Sequence, residues 1–198
     1  MRSLDQMIRR FRQDERGSVV AEAVIAMPLM LWAYMALFVY WDGFRSVNTV
    51  QKATYTISDM LSREMVAIAP AYITGMDSIM EYMVDGDQDV SLRVSSVTWS
   101  QARHRYEIHW SRTTNAVALP ALTTASLQVY ADCATTNRCR IPEMSDADFV
   151  VIVESTTNYE PLFSVGLENM SFEQFIVTRP RFVTCVLMTT AGTSCPIS

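Results

Sequence analysis

From Ser18 to Trp41 the chain runs 24 residues with one charged side chain, Glu22, and this run constrains everything around it. A helix of that length extends ~36 Å, enough for the ~30 Å hydrocarbon core of a bilayer. A carboxylate at membrane depth costs roughly 2.5–3.5 kcal/mol, so Glu22 calls for a partner or a function. Arg16 and Gly17 come immediately before the run. Scission after Gly17 would free an α-amino group on Ser18, and Glu22 would stand one helical turn away on the same face.

Charge gives the run a direction. The first sixteen residues carry five arginines against Asp5, Asp14 and Glu15. Within a total of −5 that leaves about −7 on the rest of the chain. A basic flank before a span and an acidic bulk after it predict a cytoplasmic N-terminus. The acidic bulk argues against nucleic-acid binding, which needs a basic face. Charged residues make up 19% of the chain, below the ~25% usual for soluble domains, as an embedded segment requires.

Two other N-terminal readings compete. A cleaved secretory signal has a shorter apolar core and a small-residue cut site after it. Here the run ends in the bulky Phe38-Val39-Tyr40-Trp41, without an Ala-x-Ala site. An uncleaved signal anchor explains the length and the arginines, but not Gly17 and Glu22 together.

The stretch Glu15-Arg16-Gly17-Ser18-Val19-Val20-Ala21-Glu22-Ala23-Val24-Ile25-Ala26-Met27-Pro28-Leu29 resembles the processing site of type IV pilins and pseudopilins. It is most similar to TadE-like minor pilins of the tight-adherence (Tad/Flp) pilus. The resemblance implies that a prepilin peptidase cuts between Gly17 and Ser18, and that Glu22 meets the N-terminal amine of a neighbouring subunit. Looser likenesses lie in Ala53–Glu64, in Val153–Phe163 and in Thr178-Arg179-Pro180-Arg181.

Four cysteines form two local pairs, Cys133/Cys139 and Cys185/Cys195, all beyond the apolar run. An even count on the side predicted to be outside the cytoplasm reads as disulfides. Three connectivities exist, and the two local loops are preferred. The spacing lacks the Cys-x2-Cys knuckles of zinc sites. No metal or other cofactor is expected.

Along the chain, residues 1–17 read as a leader, 18–41 as a transmembrane helix and 42–69 as its amphipathic continuation. Residues 70–198 read as an extracytoplasmic head. Pro28 removes one backbone bond inside the span. Val47, Val50, Ala53, Tyr55, Ile57, Met60, Leu61 and Met65 approximate a helical stripe that Pro70 stops. A second helix is expected over Ile73–Val84, its methionines filling a core. Asp85–Asp89 reads as a solvated turn, since it lacks the spacing of a calcium loop.

Alternation over Val90–Trp99, with a bulge at Ser95-Ser96, and over Tyr106–Trp110 predicts an antiparallel hairpin. His104 and His109, the only histidines, are expected on opposite faces of it, which disfavours a shared metal or a catalytic pair. Leu122–Tyr130 fits a short helix or a strand. Phe149–Val153 reads as a buried strand, and the apolar pieces Phe175–Val177 and Phe182-Val183 flank Thr178–Arg181. Arg179 and Arg181 are expected as solvated charges, or as partners of Glu154 or Glu160. No glycine-rich phosphate loop or hydrolase signature occurs.

The expected fold is α+β and pilin-like: a long N-terminal helix, embedded in its first half, packed on a small antiparallel sheet. The expected role is non-enzymatic, a minor pilin or pseudopilin in the inner membrane with its head in the periplasm. Its partners would be the prepilin peptidase, other minor pilins, the major pilin, the assembly platform and lipid. The alternative is an uncleaved membrane-anchored binding module or adhesin.

Overall fold

The computed structural model describes residues 17–84, 89–131, 140–163, 165–191 and 194–195. Among the described residues three helices and four strands follow one another. They are α1 (Ser18–Ser62), α2 (Pro70–Met83), β1 (Val90–Ser100), β2 (Arg105–Thr113), α3 (Thr124–Ala131), β3 (Phe149–Tyr159) and β4 (Met170–Thr178). The fold is α+β, a long apolar N-terminal helix packed on a four-stranded antiparallel sheet of order β2-β1-β3-β4. The chain separates into two compact units. One takes the chain to Gly43 together with Pro161–Glu168, and the other holds Phe44–Glu160 and Asn169–Ser198.

In the first unit, α1 is long and apolar enough to cross a membrane, and only 6% of its most apolar window is buried. Helix persists through Pro28. The carbonyl four residues earlier, on Val24, loses its donor there.

In the second unit, α1 lays Val50, Ala53, Ile57 and Leu61 on the sheet, with Thr54, Ser58 and Ser62 also buried. The small hydroxyl residues bring the helix close. Thr54 Oγ1 lies 2.8 Å from Ser155 Oγ on β3 and also donates to the Val50 carbonyl. Two residues of the expected stripe face outward instead, Tyr55 at 55% and Met65 at 69% exposure. A step of four from Val50 selects Thr54 and a further four Ser58, while Ala53 leads to Ile57, so Tyr55 falls off the packed face; Met65 lies past the last residue of α1.

α1 ends at Ser62 rather than near Ala69. The backbone then extends, and Ile68 bridges in parallel to Met188. Its N–H donates to the Leu187 carbonyl, and its carbonyl accepts from Thr189. Pro70 therefore opens α2 instead of stopping α1, since its fixed φ and missing N–H suit a first helical turn. Ile73, Met76 and Met80 of α2 join the core.

The sheet is covered on both faces. Val90, Leu92, Val94, Val151 and Val153 pack with α1, α2 and Val186 and Met188. Val97, Val150 and Ile152 pack with Leu122, Leu127 and Ile141 on the other side. This explains the continuous apolar run of β3. It also corrects the expected bulge. β1 shifts its apolar residues from one covered face to the other without an extra residue. The extra residue is His109 on β2, because Ser96 pairs with Trp110 while Val97 pairs with Ile108. Tyr106 and Ile108 consequently pack on one face and Trp110 on the other.

The two sheet borders differ. On β2, the Tyr106 carbonyl accepts from Gln128 Nε2 at 2.7 Å, and Ile108 N–H donates to Thr124 Oγ1. Both capping side chains come from α3, which settles Leu122–Tyr130 as mainly helical. On β4, nine residues pair with β3 in unbroken register. Among the described residues, no hydrogen bond outside that ladder is made by Met170–Thr178.

Candidate functional site

The α-helix begins at Ser18, directly after Gly17. Gly17 is exposed, with open space where a side chain would stand. Glu22 is exposed, four residues into the helix. Among the described residues it has no ion-pair or hydrogen-bond partner. Around it Val19, Val20, Val24, Ile25 and Met27 are all outward. The N-terminal turns of α1 thus offer an apolar surface with one unmatched carboxylate.

Sequence reasoning missed two features. The first is Gly166, which lies in the same compact unit as this part of α1. Its φ of +81° is in the left-handed region, and its carbonyl accepts a 3.4 Å bond from Tyr40 Oη. A Cβ there would itself stand 3.4 Å from that oxygen. A lone glycine between two strands was the available signal.

The second is a buried ion pair in the head. Arg93 and Glu154 face each other across β1 and β3 and are 4% and 6% exposed. The contact is bidentate, Nε to Oε2 at 2.6 Å and Nη2 to Oε1 at 2.7 Å. Arg93 also donates to the Pro120 carbonyl and to Tyr130 Oη. Burial alone would lower the Arg93 pKa, but the bonds to Glu154 and its charge outweigh that and raise it. The pair floors a cleft of about 340 Å³. Above it Tyr130 and Phe175 stack at 5.6 Å, with the Arg140 guanidinium over both rings. The chemistry of this cluster is clamping: one guanidinium joins β3, the segment before α3, and α3 itself. The signal was a single charge inside each of two apolar strands.

Glu154 is taken by Arg93, and Glu160 accepts from Asn169, so neither meets Arg179 or Arg181. Those arginines lie past the end of β4. Arg179 pairs with Asp148 at 2.9 Å and Arg181 with Asp59 at 2.6 Å. Arg181 N–H also donates to the Ser62 carbonyl, which ties the last turn of α1 to the C-terminal segment.

His104 stands in the β1–β2 turn with φ of 47°, so strand alternation does not govern it. His109 packs edge-on against Phe149, its Nε2 is buried with no hydrogen-bond partner among the described residues, and burial lowers its pKa. Among the described residues no three His, Cys, Asp or Glu side chains cluster as metal ligands. Cys185 and Cys195 are bridged. Cys133 and Cys139 lie outside the described residues, as does most of the Asp85–Asp89 turn.

No protein-family model, no curated protein and no solved structure matches this chain.

Proposed function

We propose that the chain is a minor pilin or pseudopilin of a tight-adherence pilus. It is inserted in the inner membrane with its leader in the cytoplasm, and is freed for assembly by a prepilin peptidase that cuts between Gly17 and Ser18. The observation that carries this reading is the coincidence of three features at one helix end. The α-helix starts at Ser18, Glu22 follows one turn later, and the side chains around them face outward. In the processed chain the Ser18 amine of one subunit would neutralise Glu22 of a neighbour. A carboxylate out of register would stay unpaired in low dielectric, so the pair fixes how far helices slide along each other. The apolar side chains from Val19 to Leu37 would supply the packing between helices, since lipid offers no hydrophobic drive. The head then meets the other pilins and the assembly platform.

Mass spectrometry of the protein extracted from its native membrane tests this. A mature N-terminus at Ser18 is expected, and Gly17→Phe should leave the full-length precursor. Glu22→Ala should insert and be cut normally, yet lose co-purifying pilus proteins. A chain that keeps its initiator methionine in cells with an intact pilus machinery would instead be a tethered binding module.

A further inference from the structure

Along the apolar half of α1 nearly every residue is exposed, but Ala36, Val39 and Gly43 are shielded. Steps of three and four put them on one helix face. The segment that groups with this part of the helix in one compact unit is Pro161–Glu168, between β3 and β4. Its fixed point is the contact of Gly166 with Tyr40. Tyr40 lies 22 residues beyond Ser18. That is ~33 Å along a helix, where a ~30 Å hydrocarbon core gives way to headgroups. The loop is therefore held at the membrane boundary, and there it turns out two large apolar side chains. Leu162 is 71% exposed and Phe163 46%.

We propose that Leu162 and Phe163 insert into the headgroup layer of the bilayer, as a second membrane contact of the chain beside its helix. Lipid is the occupant because the loop continues the apolar surface of the helix at the depth where Tyr40 and Trp41 already lie. Aromatic side chains favour that layer. Pro161 suits it too, since it brings no N–H that a drier environment would leave unpaired. This inference rests on the reading of α1 as a membrane span.

The test uses the full chain reconstituted in phosphatidylcholine vesicles carrying bromines either near the headgroup or near the chain ends. Phe163→Trp and Leu162→Trp each add one indole, read as the difference from the unaltered protein. Val117→Trp, at a residue 96% exposed in the head, is the control. Trp32, near mid-span, reports whether the helix is inserted. The added indole at either loop position should emit at shorter wavelength than the control, and near-headgroup bromines should reduce it about twofold, as for an interfacial aromatic. Water-like, unquenched emission from both loop variants, with Trp32 quenched by the deep bromines, overturns this proposal alone. Failure to quench Trp32 overturns the membrane reading and this proposal with it.

Discussion

Residue-scale chemistry in the head centres on two buried charges and one half-buried imidazole. Removing one partner of the Arg93–Glu154 pair strands the other in a site 5–7% exposed. Glu154→Ala should cost about 3–5 kcal/mol in urea unfolding. Arg93→Met with Glu154→Leu should recover most of that, because both desolvation penalties vanish together. His109 acts through pH. Burial holds its folded pKa below the ordinary 6.5, so the unfolded chain binds the proton more tightly. Its contribution to stability is full above about pH 6.5 and is lost as the pH falls through the folded value. Thermal unfolding should show this acid loss in the unaltered protein and a smaller one in His109→Phe; identical profiles would remove His109 from the account.

At the scale of elements, the C-terminal segment works as part of the core. Val186 and Met188 are buried, and the Val186 carbonyl accepts from Trp110 Nε1 at 2.8 Å. The Cys185–Cys195 bridge closes the loop that ends this segment. Replacing both cysteines by serine should lower stability by about 2–3 kcal/mol, as for a short closed loop. It should also shift Trp110 fluorescence toward that of a solvated indole, and an unchanged spectrum would mean that the segment is held without the bridge. The elements were legible to different degrees. The apolar run, the second helix and the β3 valines carry strong patterns. The end of α1 was misjudged because Pro70 reads equally as a stop and as a start. The β2 alternation misled because one inserted residue, His109, reverses which face its neighbours meet.

On the scale of the whole molecule, the sequence placed a long helix and a sheet in the right order, since hydropathy and period carry that information locally. What it left open depends on contacts far apart in the chain. Arg93 finds Glu154 across 61 residues, and Tyr40 finds Gly166 across 126. Gly17, Ser18 and Glu22 stand out in the sequence because their spacing is itself the pattern of the proposed processing site. The two sheet borders have a further consequence. Side chains of α3 occupy two polar groups along β2, while among the described residues nothing but β3 pairs with the backbone of β4. A visiting extended segment can thus lengthen this sheet from one flank alone. Two copies meeting β4 to β4 would use up each other's open flank and make a closed pair.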